Sequence, residues 1–419
     1  MRKTPLELAA VATAAVPGLA PTATAYSPDD ADFDSALLLD AEGKRWRVRS
    51  PRHPEASTRL ETEFMILRAF APAIRAELPF HVPTVAGTVR QGDLTTFVYA
   101  HLQGSTLSID ELSAGSPDLA REIGSALAAI HDLPLALVNN ADLPSYSANE
   151  FRQRKLNELD QAATTGKIPA TLLRRWEHAL EDVALWRFNP SVVHGDLHED
   201  NLMVQHEAVT AVTGWTDLRI GDPADDFAWL VASNEAPFID AVMARYTQVR
   251  RETPDSHLLR RAALLAEFAL AQYLVKAMAV GHQEMTAEAE GMLQSLAADI
   301  DEQIRREEAA RADAADGVDA GSVSGQPGDS TQLPSVSVAA IPDDGAATQP
   351  APSTESKAPA VSVAAIPDSD GESPAQTRET PEGSASGSRV VEEAGKKDEA
   401  STAAIKVVNV TPLHAADRA

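Results

Sequence analysis

The stretch whose reading decides the fold is Val192 to Asn201, "VVHGDLHEDN". Its β-branched start ends a short apolar strand, Ser191-Val192-Val193, and the chain then runs directly into a loop. In that loop Asp196 and Asn201 stand five positions apart, near enough for one to accept a proton while the other binds a cation. His194 and Gly195 shape the turn. An Asp and an Asn that merely cap turns is the plainer reading of the same letters. Two more short strands, "LMVQ" and "AVTAV", flank His206-Glu207, and "VTGWTDLRIGDPADDFAWL" then sets Gly214 ahead of Asp217, Asp222, Asp225 and Asp226.

Upstream, residues 22 to 50 read as strands. "FDSALLLD" is followed by a turn at Ala41-Glu42-Gly43 and by "KRWRVRS". The two-residue period of the last puts Arg45, Arg47 and Arg49 on one face, Trp46 and Val48 on the other. Helical spacing follows at Leu60, Phe64, Leu67 and Phe70, then extended segments around "HVPTVAGTV" and "LTTFVYAHL". From Leu119 long helices take over, separated by loops with Pro and Gly, and after the strand-and-loop region they resume at Ala224 and continue to about Arg311. The expected division is a sheet-rich lobe over 1–103, a helical lobe over 104–310 and a tail over 311–419.

Composition sets that tail apart. Every Phe, Trp and Tyr lies before residue 311, so the remaining 109 residues have too little apolar surface to offset the entropy of ordering them and are expected to be disordered. The tail has 17 acidic and 8 basic residues, a charge of −9, which leaves −17 of the overall −26 to the folded part. Such a charge disfavours nucleic acid or an anionic membrane as partner and suits a cationic small molecule. Zero Cys excludes disulfides, thiolate metal sites and a cysteine nucleophile. In the tail "VSVAAIPD" occurs at Val336–Asp343 and again at Val361–Asp368, either a linear motif for a protein partner or repeat slippage.

Two segments imitate membrane signals. The first 25 residues have a basic start, an Ala-rich stretch and Ala23-Thr24-Ala25, yet Glu7 and Pro17-Gly18 interrupt the apolar run. A short amphipathic helix over residues 4 to 15, packed on the first lobe, is the favoured reading. Ala262–Gly281 is of spanning length but carries Glu267, Gln272 and Lys276, polar groups costly in lipid, so a buried core helix is expected rather than a membrane span.

The octamer "HGDLHEDN", with "GDPADDFAW" some twenty residues later, resembles the aminoglycoside and choline kinase-like phosphotransferases, relatives of the protein kinases, over roughly residues 5 to 305. A closer likeness is to the macrolide 2'-phosphotransferase branch, in Phe33 of the first hairpin, "RWRVRSPRHP" and "VTGWTDLRIGDPADDFAW". The resemblance implies an α+β, bilobal protein-kinase-like fold. It also implies transfer of the γ-phosphoryl of ATP or GTP, with Mg2+, to a hydroxyl of a macrolide, an aminoglycoside or a metabolite, and a cytoplasmic location where nucleotide is available.

The roles implied by that likeness fall on named residues. Asp196 is the base for the acceptor hydroxyl and Asn201 a magnesium ligand. Arg49 takes the place of the nucleotide-binding lysine, paired with Glu63 of the next helix; a surface salt bridge is the alternative for that pair. The base-binding hinge falls at Tyr99, Ala100, His101 and Leu102. His194, Asp222 and Asp226 support the catalytic loop through backbone hydrogen bonds, Asp225 is solvated, and His131 packs or caps. The loop "SPDDADFDSALLL" has no glycine, and Asp29, Asp30, Asp32 and Asp34 repel phosphate unless they point outward.

Gly214 divides the functional readings. The family has a metal-binding Asp at this position, and here Asp217, three residues on, is the nearby acid in the same loop. Losing one preorganised electrostatic group costs about 10²- to 10³-fold. One reading is an active kinase in which Asp217 moves in beside Asn201. The other is a pseudokinase that binds nucleotide, another ligand or a protein partner.

Overall fold

A computed structural model describes residues 2–319, except Asp30 and Asn234. The tail beyond, with both copies of "VSVAAIPD", lies outside the described residues. The chain begins with α1 (Pro5–Ala15), the helix expected there. Pro5 opens it, and Thr4 and Glu7 form a reciprocal capping box, the Thr4 N–H donating to Glu7 at 2.7 Å.

Strands β1 (Pro21–Tyr26), β2 (Phe33–Asp40), β3 (Arg45–Pro51), β4 (Val85–Gln91) and β5 (Leu94–Ala100) form one antiparallel sheet in the order β1-β2-β3-β5-β4. Between β3 and β4 run α2 (Pro54–Ala69) and α3 (Pro72–Glu77). The register sets the orientation of the site. Ala36, Leu38, Val48 and Val98 face α1 and bury Leu8, Ala9 and Ala12 in a small core of their own. Arg47, paired with Tyr99, and Arg49, paired with Phe97, therefore project from the opposite face, towards α2 and the helical region.

The helical region continues with α4 (Ile109–Ser113), α5 (Pro117–His131), α6 (Leu135–Asn139), α7 (Ala148–Thr164) and α8 (Ala170–Glu181). Two small hairpin-like pairs follow: β6 (Ser191–Val193) with β9 (Arg219–Gly221), and β7 (Leu202–Gln205) with β8 (Ala208–Val212). Helices α9 (Ala228–Ala232), α10 (Ala236–Val249), α11 (Leu258–Ala279) and α12 (Gln283–Asp319) complete the described chain. Helix α12 thus runs past the expected boundary at residue 310, carried by the helix-forming run "REEAARADAAD".

Helix α11 is long and apolar enough to cross a membrane by length and composition. In this fold it packs in the core, and its one buried acid is fully bonded. Glu267 receives Arg175 Nε and Nη2, each at 2.9 Å, and Trp176 Nε1 at 3.0 Å. Helices α10 and α11, weighed as walls of an apolar pocket, mainly supply core: Phe238, Ile239, Val242 and Tyr246 are buried. The apolar cavity between Trp176, Trp186, Leu264 and Phe268 holds about 20 Å³, room for one water and far too small for a macrolide.

Candidate active site

Strand β6 delivers the loop over residues 194–201, the candidate catalytic loop, and Asp226 holds it from below. One oxygen of this wholly buried carboxylate accepts the His194 N–H and the other the Gly195 N–H, each at 2.8 Å. Gly195 has φ +87°, and a Cβ there would collide with the Arg219 guanidinium and the Asp217 carbonyl. Asp226 also takes a hydrogen bond from His131 Nε2 at 3.1 Å; a carboxylate can only accept, so Nε2 carries the proton and His131 Nδ1 accepts from the Tyr246 hydroxyl at 2.8 Å. His194 has the same tautomer, since its Nε2 lies 2.8 Å from the Thr213 carbonyl. Burial pulls both imidazoles below their ordinary pKa, keeping them neutral. Burial alone would raise Asp226, but the His131 hydrogen bond, the two histidines and the Gly195 N–H leave it below the usual carboxylate value.

The aspartates therefore divide differently from expectation. Asp226 bonds the loop backbone at His194 and Gly195. Asp222 does not touch it: its oxygens accept Arg261 Nε and Nη2 at 2.7 and 3.0 Å and cap the Ala224 N–H at 3.0 Å. Asp225 is not solvated, because Arg219 Nη2 reaches it at 2.7 Å. That same guanidinium donates to the carbonyls of Gly195 and Asp217, at 3.3 and 3.0 Å, stapling the catalytic loop to the segment after Gly214.

Asp196 opens to solvent on one side. Burial on its protein side raises its pKa above the ordinary carboxylate value; His198 opposes this and the nearby charge of Asp217 adds to it. Asn201 turns its side-chain amide back, Nδ2 donating to the Asp196 main-chain carbonyl at 2.7 Å, while the main-chain carbonyl of Asn201 accepts the Thr213 N–H at 3.0 Å. The octamer is thus closed on itself, with the acid and the amide side by side.

The arrangement does not fit a preformed magnesium site. Gly214 supplies no side chain, sits in the left-handed region at φ +79°, and lies against Asn201: a Cβ there would meet Asn201 Cγ at 2.9 Å and come closer still to Oδ1. Asp217 is exposed at the end of the turn Trp215–Asp217. Among the described residues no three His, Cys, Asp or Glu side chains gather closely enough to hold a metal ion.

At the sheet end of the cleft, Arg49 faces Glu63 at 4.0 Å, but its strong bonds go elsewhere. Its Nε and Nη2 each lie 2.8 Å from the two oxygens of Asp29, to which Arg47 Nη2 adds a bond at 3.1 Å and Ser35 Oγ another at 2.7 Å. Asp29 therefore points inward, the orientation in which it would repel a phosphate. The physical reason is the pair of arginines on one strand face: burial would raise the Asp29 pKa, and Arg49, then Arg47 and Ser35, more than reverse it. Asp32 and Asp34 are paired apart from the cleft, with His53 and Arg59, and with Arg52 and the Lys3 N–H. Asp30 lies outside the described residues.

Of the expected hinge, Tyr99 and Ala100 end β5 and His101 and Leu102 lie just beyond. The N–H groups of Ala100 and His101 are taken by the carbonyls of Thr84 and Arg45, at 3.0 and 3.1 Å. A groove of about 960 Å³ runs along Ala100 and His101, between the β2–β3 and β7–β8 turns, but reaches none of Arg49, Asp196 or Asn201.

Sequence reasoning missed the inward Asp29, the staple at Arg219 and the tether from His131. An arginine pair amid an apolar run, Arg260 and Arg261 in "LLRRAALLAEF", was a usable signal that one of them enters a buried ion pair.

A five-stranded antiparallel lobe, a helical lobe and a His-Gly-Asp loop between them define a kinase-like phosphotransferase fold. Residues 25–265 match the phosphotransferase enzyme family, APH, and the chain belongs to it. Solved structures agree on the fold. The macrolide 2'-phosphotransferase MphH from Brachybacterium faecium is 24% identical, with a TM-score of 0.60 over 69% of this chain and 97% of that one. The GDP complex of aminoglycoside 2'-phosphotransferase-IIIa is 18% identical, with a TM-score of 0.59 over 71% and 99%. Among curated proteins, the uncharacterized YcbJ of Bacillus subtilis (strain 168) is 25% identical over 201 residues, 47% of this chain; the match spans 65% of that relative's length.

Proposed function

We propose that this chain moves the γ-phosphoryl group of ATP or GTP to a hydroxyl of a small molecule, with Asp196 as the base. The observation that carries the reading is the intact clamp on the catalytic loop. Asp226 fixes its backbone, Asn201 bonds the Asp196 carbonyl, and burial with the charge of Asp217 makes Asp196 a better proton acceptor than an ordinary carboxylate. In the transfer the acceptor oxygen attacks the γ-phosphorus, its proton passes to Asp196, and the bridging oxygen leaves with the electron pair on the nucleoside diphosphate. Arg49 would pair with the nucleotide phosphates. No step is assigned to a metal, since the donor set at Gly214 does not fit one.

Related structures suggest the acceptor class. One neighbour is a GDP and kanamycin complex of APH(2")-IIia, 18% identical with a TM-score of 0.56 over 68% of this chain and 96% of that one. MphH is named for a macrolide hydroxyl. An amino sugar suits the negative charge of the folded part.

A second reading, a protein that binds nucleotide or another ligand without transferring phosphate, is favoured by Gly214 lying against Asn201. Turnover of ATP and GTP against a panel of macrolides and aminoglycosides separates the two. Transfer that falls about 10²- to 10⁴-fold in Asp196→Asn, with folding retained, supports the first. No transfer by folded wild-type protein across the panel sinks it and leaves the second.

A further inference from the structure

We propose that Asp29 is an internal occupant of the phosphate cradle, a carboxylate that a polyphosphate must displace to reach Arg49. This rests on the nucleotide reading above and adds a gate to it. The cradle is built from four donors already on one carboxylate: Arg49 Nε and Nη2, Arg47 Nη2 and Ser35 Oγ. The Asp29 side chain is 5% exposed and Arg49 20%, so the contact is a seated one rather than a surface pair.

Two observations show that the cradle suits a larger oxyanion than a carboxylate. The Tyr99 hydroxyl and the Arg47 Nε are buried and have no hydrogen-bond partner among the described residues. Both belong to this spot: Arg47 and Tyr99 face one another across the β3–β5 register, and the charges of Glu63, Arg49, Arg47 and Asp29 all act on the Tyr99 hydroxyl. A planar carboxylate leaves these donors unused. A tetrahedral phosphate presents a third oxygen, and a polyphosphate more.

Charge makes the gate effective. Arg47 and Arg49 are matched by Asp29 and Glu63, so while Asp29 is seated the cradle offers an incoming polyanion no net positive charge. Releasing Asp29 exposes one. Two nearby aspartates are anchored independently of Asp29: Asp32 on His53 and Arg59, Asp34 on Arg52. Release of Asp29 would also free the Pro28 carbonyl, which accepts Arg47 Nη2 at 3.3 Å.

The test is calorimetric titration of the full chain with tripolyphosphate and, separately, with ATP. Wild type, Asp29→Asn, Ser35→Ala and Asp29→Asn with Arg49→Gln are compared. Tripolyphosphate is expected to bind Asp29→Asn at least about tenfold tighter than wild type, and the gain to vanish in the double variant, as a cradle centred on Arg49 requires. Ser35→Ala removes a bond to Asp29 and a cradle donor together, so its affinity is expected to change much less than that of Asp29→Asn. Equal affinity in wild type and Asp29→Asn, or no binding to either, overturns the proposal. Tighter tripolyphosphate without any ATP binding leaves the gate standing and removes the nucleotide reading instead.

Discussion

Arg261 of α11 and Asp222 meet at 2.7 Å with neither side chain exposed to solvent. Asp255 and the Leu185 carbonyl share the same guanidinium, so four elements of the helical lobe converge on one cation. Breaking a buried pair from one side strands a charge and costs about 3–5 kcal/mol. Arg261→Met is expected to lose that much in urea unfolding, and adding Asp222→Leu to recover part of it. A loss under about 1 kcal/mol for the single variant would show that the pair is not needed for the fold.

Gly214→Asp tests the missing carboxylate directly. The left-handed backbone and the nearby Asn201 amide make the change mildly destabilising, by about 1–2 kcal/mol. Once Asn201 rotates aside, the new carboxylate stands next to an amide oxygen, and nucleotide affinity is expected to gain a dependence on magnesium absent from wild type. Titration of ATP with magnesium or with a chelator decides it; identical curves for the variant in both would show that the position no longer faces the cleft.

The two buried histidines give stability a pH dependence of known sign. Their folded pKa lies below the ordinary 6.5, so below pH 6.5 the unfolded chain takes up protons the native state refuses, and stability falls as pH falls. Each histidine contributes at most about 1.4 kcal/mol per pH unit in that window. His131→Gln keeps a neutral donor for Asp226 and removes one titration. It is expected to be less stable than wild type at pH 7.5, with the gap narrowing towards pH 5. Parallel stability curves would assign the acid sensitivity to other groups.

Leu8 is completely buried beneath the sheet's outer face. Leu8→Ala is expected to cost about 2–5 kcal/mol by the usual cavity and transfer terms, measured by denaturant unfolding. An unaffected midpoint would mean that α1 is dispensable to the lobe.

What the sequence revealed follows the range of each interaction. The catalytic loop was legible because its acid, amide and turn residues are contiguous, and the strand alternation that turned Arg47 and Arg49 to one face needed only neighbours. The aspartates after Gly214 were harder. Asp225 looked solvated because Arg219 reaches it by a turn no periodicity announces, and Asp222 looked like loop support because its true partner is 39 positions away on another helix. Asp29 could be read only as a carboxylate that repels phosphate unless it points outward; its bonds to Arg49 and Arg47 span 20 and 18 positions, beyond what local spacing announces.

Helix α1 has a consequence in time as well as in space. It contacts β5, and Leu8 and Val98 stand 90 positions apart, so seating the helix closes a long loop and is a non-local, slow step of folding. Together with Leu19, the helix completes the apolar cover over Val48, and a one-residue slip of β3 would swap the valine with the arginines on either side of it. The apolar cover on the back of the sheet therefore helps fix the aim of Arg47 and Arg49 towards the opposite face.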